Sequence, residues 1–409
     1  MIQFVPMSEH DRMSIGISTS IATSWSVSCF YPSEIVPNEY ALPLLAVQHA
    51  RRCVPQRRFA VPDAPNPDYE LSADDAVHYR WDASIDPALT VEPGSVVRFD
   101  CRDAYDGQVD PPASVEKLLA VDAEGHPLTG PVAVAGAEPG DTLAVDLLAL
   151  EHRGWGVTAV PPGEREGGLL PEEFRDPHVR EWDLDARRNG TPVATFADGD
   201  APDVAVPLAP FPGNLGLAPG DRGPHSTMPP RRVGGNMDVK HLTAGSRLYL
   251  PVEAAGALFS VGDCHAAQGD GEVCLTGIEA PMTVTARLDL VDEYPVDGPQ
   301  FETDGPFTPS GHDERMYATT GIAPDLMDAT KAAISDMITH LHERRGFSRP
   351  DAYVLCSAAV DLKISEVVDA PNWTVSAYLP ESVLATPDDG SEGQEIGRAS
   401  CRERVFPVV

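Results

Sequence analysis

The stretch AEPGDTLAVDLLAL, residues 137–150, decides the fold. A turn ends at Gly140, Asp141 follows, and from there apolar and polar side chains alternate. Such alternation belongs to a β-strand that presents one face to a core. The same form returns in VEPGSVVRFD (91–100) and LTAGSRLYLPV (242–252): a turn ending in Gly, then Ser or Asp, then a strand. EVCLTGIEAPMTVTARLDLV (272–291) reads as two more strands. Short strands between frequent proline and glycine turns predict a mainly β domain, sandwich- or barrel-like. The shared turn recurs at irregular spacing, so it is a strand-entry device and not a solenoid repeat.

Around these strands the pattern changes twice. Residues 152–235, with PPGEREGGLLPEEF, FPGNLGLAPGDRGP and TMPPRRVGGNMD, read as long loops, the usual place for binding residues. APDLMDATKAAISDMITHLHERRG (323–346) reads as a helix. Its stripe is Leu326, Met327, Ala333, Ile334, Met337, Ile338 and Leu341; Asp325 and Asp328 favour its start, and Arg344 and Arg345 precede Gly346 at its end. AYVLCSAAVDLKISEVVD (352–369) and WTVSAYLP (373–380) read as strand, helix or strand, then strand. The chain thus divides into a β-rich body over 67–295, which carries the candidate site, and a smaller C-terminal α+β portion over 296–394.

The 409 residues suffice for one large domain or two ordinary ones, and 63 acidic against 30 basic side chains leave a net charge of −33. Such a surface repels nucleic-acid phosphate and anionic membrane, and it excludes both as expected partners. A small neutral ligand is indifferent to it. The chain holds only four lysines, Lys117, Lys240, Lys331 and Lys363. An acidic, lysine-poor surface suits a halophile's salt-rich cytoplasm, where screening removes self-repulsion. A GC-rich genome is the competing source of this composition, although it does not by itself produce so large an excess of acid. The seven cysteines form no CxxC pair, which favours a reduced, cytoplasmic setting. No apolar run reaches membrane-spanning length, and the N-terminus lacks the pattern of a secretion signal.

The ends differ from the middle. Residues 1–66 sum to zero charge and 395–409 to +1, so the interior carries −34. EIGRASCRERV (395–405), back-translated, reproduces a common sequencing-adaptor oligonucleotide, so 395–409 is expected to be an assembly artefact. Residues 1–66 are expected to be a non-native or disordered extension.

GDCHAAQGDGEVC, residues 262–274, follows the apolar run LYLPVEAAGALFSV and crowds Asp263, His265, Asp270 and Glu272 into a glycine-rich turn. Three carboxylates and an imidazole suit a divalent cation such as Zn2+ or Ca2+, with a spare carboxylate left as general base. A plain hairpin with acidic turn residues is the alternative. Asn236 and Asp238, after Gly234 and Gly235, are either further site residues or closers of a turn.

GGNMD (234–238), LYLPV (248–252), GALFSVGDCHAAQGDGEV (256–273), FPGNLGLAP (211–219), STMPPRRVGGN (226–236) and GAEPGD (136–141) resemble blocks of the acetamidase/formamidase family, as does the late AYVLCSAAVDLKISEVVD. The similarity runs in order from about Tyr69 to about Leu384. It implies a mostly β fold with an α+β portion, a homo-oligomer (dimer or larger), and hydrolysis of formamide or acetamide to the carboxylate and ammonia. Metal accompanies some members; no organic cofactor is implied. Residue by residue, the resemblance points to Asn236, Asp238, Asp263, His265, Gln268, Asp270 and Glu272. Asp238, Asp263, His265 and Asp270 are the expected metal ligands. Glu272 or Asp270 would activate the attacking water, and Asn236 and Gln268 would position the amide or the oxyanion as neutral donors. His265 stands in both the ligand and the catalytic set, and the division of roles stays open.

Other residues are weighed and set lower. Cys264 as a nucleophile would need an electropositive setting. The glycine- and serine-rich segment of a Ser–Ser–Lys amidase is absent. Asp103 and Asp106 in CRDAYDGQ (101–108) are second candidates. His225, His241, His312, His340 and His342 read as solvated side chains. Two rival readings remain: a hydrolase of a larger or urea-like amide, and a metal-stiffened β-module that binds a ligand without cleaving it.

Overall fold

The computed structural model describes residues 65–162, 168–197, 201–291, 294–303, 315–367 and 371–384. The expected artefact at 395–409, and all but the last two residues of the expected extension 1–66, lie outside these. Every described residue belongs to one compact unit that begins at Arg58.

The 137–150 stretch delivers its strand, Thr142–His152, in the middle of a six-stranded sheet. In spatial order that sheet holds Tyr69–Leu71, Ser95–Cys101, Met282–Val291, Thr142–His152, Arg247–Pro251 and Gln300–Glu302. Leu143, Ala144 and Val145 are all buried, so the first part of the central strand is covered on both faces. This is why TLAV there replaces strict alternation. Gln300–Glu302 pairs with Arg247–Pro251, which puts a strand from the C-terminal portion of the sequence at the edge of the first sheet.

A second, seven-stranded sheet runs Pro230–Arg231, Gly234–Asn236, Phe211–Gly216, Phe259–His265, Leu128–Val134 and Val77–His78, with Leu89–Val91 alongside Leu128–Val134. The two sheets meet through aromatic rings, Phe99 of the first lying edge-on to Phe259 of the second at 5.6 Å between centroids. A sandwich core of this kind buries large apolar area at about 25 cal/mol per Å2 and supplies the main drive to fold.

Three readings from sequence are corrected here. Only the second half of 272–291 is a strand, Met282–Val291. Glu272 and Leu275 take left-handed φ values of 43° and 80°, and the Cys274 N–H bonds to the Ser357 hydroxyl. A strand cannot form where the backbone groups are already spent on such turns. The 152–235 region is not mostly loop: it carries Trp155–Val160, His178–Asp183, Thr191–Phe196 and Phe211–Gly216. Its many prolines and glycines sit between short strands rather than replacing them. Finally, the apolar run AYVLCSAA is a helix, Arg349–Ala359, capped by Ser348 with Pro350 in its first turn. A run buried all round has no usable period, so the cap was its only helix signal.

The long helix forms as expected, over Leu326–Arg345, with the Asp325 side chain accepting from Met327 and Asp328 N–H groups and Gly346 left-handed at its end. Met327 alone leaves the expected stripe, standing 54% exposed. This helix covers one face of a three-stranded sheet of Met316–Ala323, Trp373–Pro380 and Asp361–Glu366.

The Arg349–Ala359 helix is fixed by a buried ionic cluster. Asp351 accepts hydrogen bonds from His178 Nε2 (2.6 Å), Arg180 Nε (2.6 Å) and Nη2 (2.8 Å), and Ser348 Oγ (2.7 Å). Burial opposes its charge, but these bonds prevail and hold the Asp351 carboxyl well below the usual carboxylate range. A depressed folded pKa contributes stability that is full above about pH 4, the unfolded value, and fades as pH falls through the lower folded value. Asp351→Asn is therefore expected to lower Tm at pH 7 and to narrow the gap from the parent protein below pH 4. An equal Tm difference at pH 7 and pH 3 would contradict this.

Candidate active site

The strand Phe259–His265 is buried along its full length between Phe211–Gly216 and Leu128–Val134. Its last residues place Asp263 and His265 in the core. Asp263, Asp238 and Glu272 all have left-handed φ values, 52°, 49° and 43°. Non-glycine residues persist there only where the surroundings over-determine them, and they gather at functional sites.

His265 organises the cluster. Its Nδ1–H donates to Gln268 Oε1 at 2.6 Å, and Gln268 Nε2 donates to the Asp238 carbonyl at 3.1 Å. That leaves His265 Nε2 facing carboxylates: Glu279 Oε2 at 3.1 Å, Asp263 Oδ1 at 3.5 Å and Glu272 Oε1 at 3.8 Å. Donor atoms of Asp238, Asp263 and His265 lie within 4.8 Å of one another, and so do those of His265, Glu272 and Glu279. Gly213 makes room, because a Cβ there would sit 2.5 Å from Asp238 Oδ1 and 3.1 Å from His265 Cε1.

The structure thus gathers five of the seven residues taken from sequence: Asp238, Asp263, His265, Gln268 and Glu272. Asn236 sits close by, ending the strand Gly234–Asn236 opposite Asn214, with its Oδ1 buried and unpartnered among the described residues. Asp270 goes elsewhere. Its carboxylate turns to the Lys240 ammonium at 3.5 Å, and its N–H reaches Asp361 Oδ1 at 3.3 Å. The expectation that Asp270 ligates a metal or activates water does not match this placement.

Two site residues escaped the sequence reading. Glu279 is 2% exposed and also accepts from the Gly277 N–H at 2.8 Å. An acid between Ile278 and Ala280 in an apolar stretch was its one signal. His126 places Nδ1 3.1 Å from Asp263 Oδ2 and carries no local signal at all.

The set-aside residues have structural partners. Asp103 accepts from the Tyr105 and Gly107 N–H groups and shapes its own loop, while Asp106 pairs with Arg102 and Tyr79. Cys264 is fully buried, and its neighbour Cys101 together with burial pushes its thiol well up, the opposite of a nucleophile's setting. His342 bonds the Phe347 carbonyl and His340 stacks on Tyr317, so neither is a merely solvated side chain. His312 lies outside the described residues.

Four carboxyl groups and two imidazoles in one buried volume cannot all take their ordinary charge states. Burial pushes Asp238 up to about 6 and Glu279 up to about 7. Burial, and then Asp238 beside it, pushes Glu272 well above the usual range. Against burial, Asp263 raises His126 to about 9, and Glu279 with Asp263 raises His265 well above the ordinary histidine value. Protons here balance a concentration of negative charge that a dication would balance better. The residues fit such an ion on further grounds. Asp238 Oδ1 is buried without a hydrogen-bond partner among the described residues, and the Gln268 bond fixes the His265 tautomer that leaves Nε2 free for a ligand.

A buried imidazole with several carboxylates is a candidate metal or catalytic centre. Comparison with known proteins narrows the class. The family model described as "Acetamidase/Formamidase family" matches residues 66–226 and 221–386. A formamidase of Methylophilus methylotrophus is 29% identical over 76% of this chain and 90% of its own length. An acetamidase of Mycolicibacterium smegmatis is 32% identical over 74% and 89%. Among solved structures, a γ-lactamase from Delftia acidovorans superposes with a TM-score of 0.70 at 29% identity, covering 77% of this chain and 93% of that one. An acetamidase from Bacillus halodurans gives 0.51 at 29% identity, with 76% and 97% covered. The chain belongs to the acetamidase/formamidase family.

Proposed function

We propose that the chain hydrolyses short linear aliphatic amides, formamide or acetamide, to the carboxylate and ammonia at the cluster around His265. Amide hydrolysis follows from family membership; the buried imidazole–carboxylate cluster is the observation that supports this site for it. His265 Nε2 with the Asp238 and Asp263 carboxylates would hold a divalent cation, Zn2+ or Ca2+, and Glu279 faces the same nitrogen. Such an ion supplies Lewis acidity toward the amide oxygen and makes water a better nucleophile.

The chain's own groups do the rest. Glu272, whose Oε1 lies 3.8 Å from His265 Nε2, is placed to take a proton from the attacking water and return it to the leaving nitrogen. Gln268 spends its Oε1 on His265 and one N–H on the Asp238 carbonyl, which leaves one N–H for the positioning or oxyanion role read for it from sequence. Asn236 Oδ1, an acceptor without a partner among the described residues, suits the substrate's NH2 group. Glu272→Gln keeps the shape of the side chain and removes the base. It is expected to cut ammonia release by about 10^2–10^4-fold in a protein that still folds. Release near the parent rate would place the base elsewhere.

The γ-lactamase likeness supports a second substrate reading, a cyclic amide, so a γ-lactam belongs in the substrate panel beside acetamide and urea. The net charge of −33 supports a salt-rich cytoplasm as the working medium, and the family resemblance supports a homo-oligomer. No helix among the described residues is long and apolar enough to cross a membrane.

A further inference from the structure

The chain has only four lysines, and one of them, Lys240, is buried to 4% exposure. Its ammonium contacts two carboxylates, Asp361, itself 4% exposed, and Asp270 at 3.5 Å. These three residues belong to three separate segments. Lys240 lies two positions beyond Asp238, Asp270 lies midway between Gln268 and Glu272, and Asp361 opens a strand of the C-terminal sheet. The contact therefore joins the two segments that bear Asp238 and Glu272, and anchors both to a third.

That third segment already grips the turn. Gly269 N–H donates to the Ser357 carbonyl at 2.7 Å, Leu362 N–H donates to the Asp270 carbonyl at 3.2 Å, and the Tyr353 hydroxyl donates to the Val273 carbonyl. A cavity of about 30 Å3, lined by Lys240, Gln268, Asp361, Ala267 and Ala358 among others, lies directly behind Gln268. Its walls put Gln268 and the ion pair in one space, with room for at least one water.

We propose that Lys240 is a positioning residue for amide hydrolysis, its ammonium setting the distance between Asp238 and Glu272 across the His265 cluster. Without it, the buried Asp361 carboxylate and the partly exposed Asp270 carboxylate repel each other uncompensated and drive the 269–272 turn away from the Asp238 segment. Lysine suits this role and arginine does not. A point charge with rotatable donors serves two carboxylates from a tight site, whereas a planar guanidinium needs more room. The proposal rests on the cation site put forward above, and its test separates the two.

The test uses the full chain and three proteins: the parent, the double variant Lys240→Met/Asp361→Leu, and Asp270→Asn. The double variant removes both members of the buried pair and so leaves Asp361 no orphaned charge. Asp270→Asn leaves that pair intact and cuts only the arm to the turn. Zn2+ and Ca2+ binding are measured by calorimetry, Tm by thermal unfolding, and kcat and KM with acetamide. The expected result for the double variant is a small change in Tm, a cation Kd raised at least about tenfold, and a kcat lowered at least about tenfold with KM little changed, in the range found when groups supporting metal ligands are altered. Asp270→Asn shifts Kd and kcat in the same direction, and it decides the matter if the double variant does not fold. A folded variant of either kind with the parent's Kd and kcat overturns the role of Lys240. A parent chain that binds neither cation overturns the cation site instead.

Discussion

His265→Ala leaves a folded protein whose ammonia release from acetamide falls by on the order of 10^3-fold or more. The imidazole is 1% exposed and packs edge-on against Phe211 at 5.1 Å, so its loss opens a cavity costing about 2–3 kcal/mol. A chain with this large a core survives that. The catalytic loss is larger because three features fail together. Nε2 no longer faces Asp263, Glu272 and Glu279, the Gln268 bond has no partner, and the local charge balance shifts by one cation. Circular dichroism and thermal unfolding confirm the fold while an ammonia assay reads the rate. A folded variant that keeps more than a tenth of parent activity contradicts the central role given to His265.

Gly213→Ala adds one methyl group and is expected to cost about 10^2-fold in activity. The new Cβ would lie 2.5 Å from Asp238 Oδ1 and 2.9 Å from the Asp263 carbonyl. One neighbour is a proposed ligand and the other is the backbone of a second. The strand cannot retreat, because Phe211–Gly216 is paired on both sides and the Gly213 carbonyl accepts from the Met237 and Asp238 N–H groups. The strain of overpacking adds about 1–3 kcal/mol, visible as a lower Tm. Unchanged cation binding and unchanged rate in this variant would show that Asp238 is free to move and is not part of the working site.

The sequence made some of this legible and concealed the rest for physical reasons. The strands at 95–101, 142–152 and 247–251 announce themselves through a glycine turn and a run of strand-forming residues, both local signals. The Leu326–Arg345 helix does so through Asp325 and Gly346 at its ends. The helix at Arg349–Ala359 was harder because burial on every side erases the 3.6-residue period, leaving only Ser348 and Pro350. Within the site, Asp263, His265, Gln268 and Glu272 could be found together because one turn carries them all. His126 could not, since it arrives from another segment and meets Asp263 only when the strands assemble. The direction of Asp270 was equally hidden. It depends on Lys240 and Asp361, the latter 91 residues away along the chain.

The cluster around His265 is proposed to hydrolyse simple amides with a bound dication. The most direct measurement takes the purified full chain in molar KCl and follows ammonia release from formamide, acetamide and propionamide before and after chelation. Release is expected to fall on chelation and to return with Zn2+ or Ca2+ in the parent protein but not in His265→Ala. Release indifferent to chelation would contradict the role of the ion, and a folded protein that releases ammonia from none of these amides would contradict the proposed substrate.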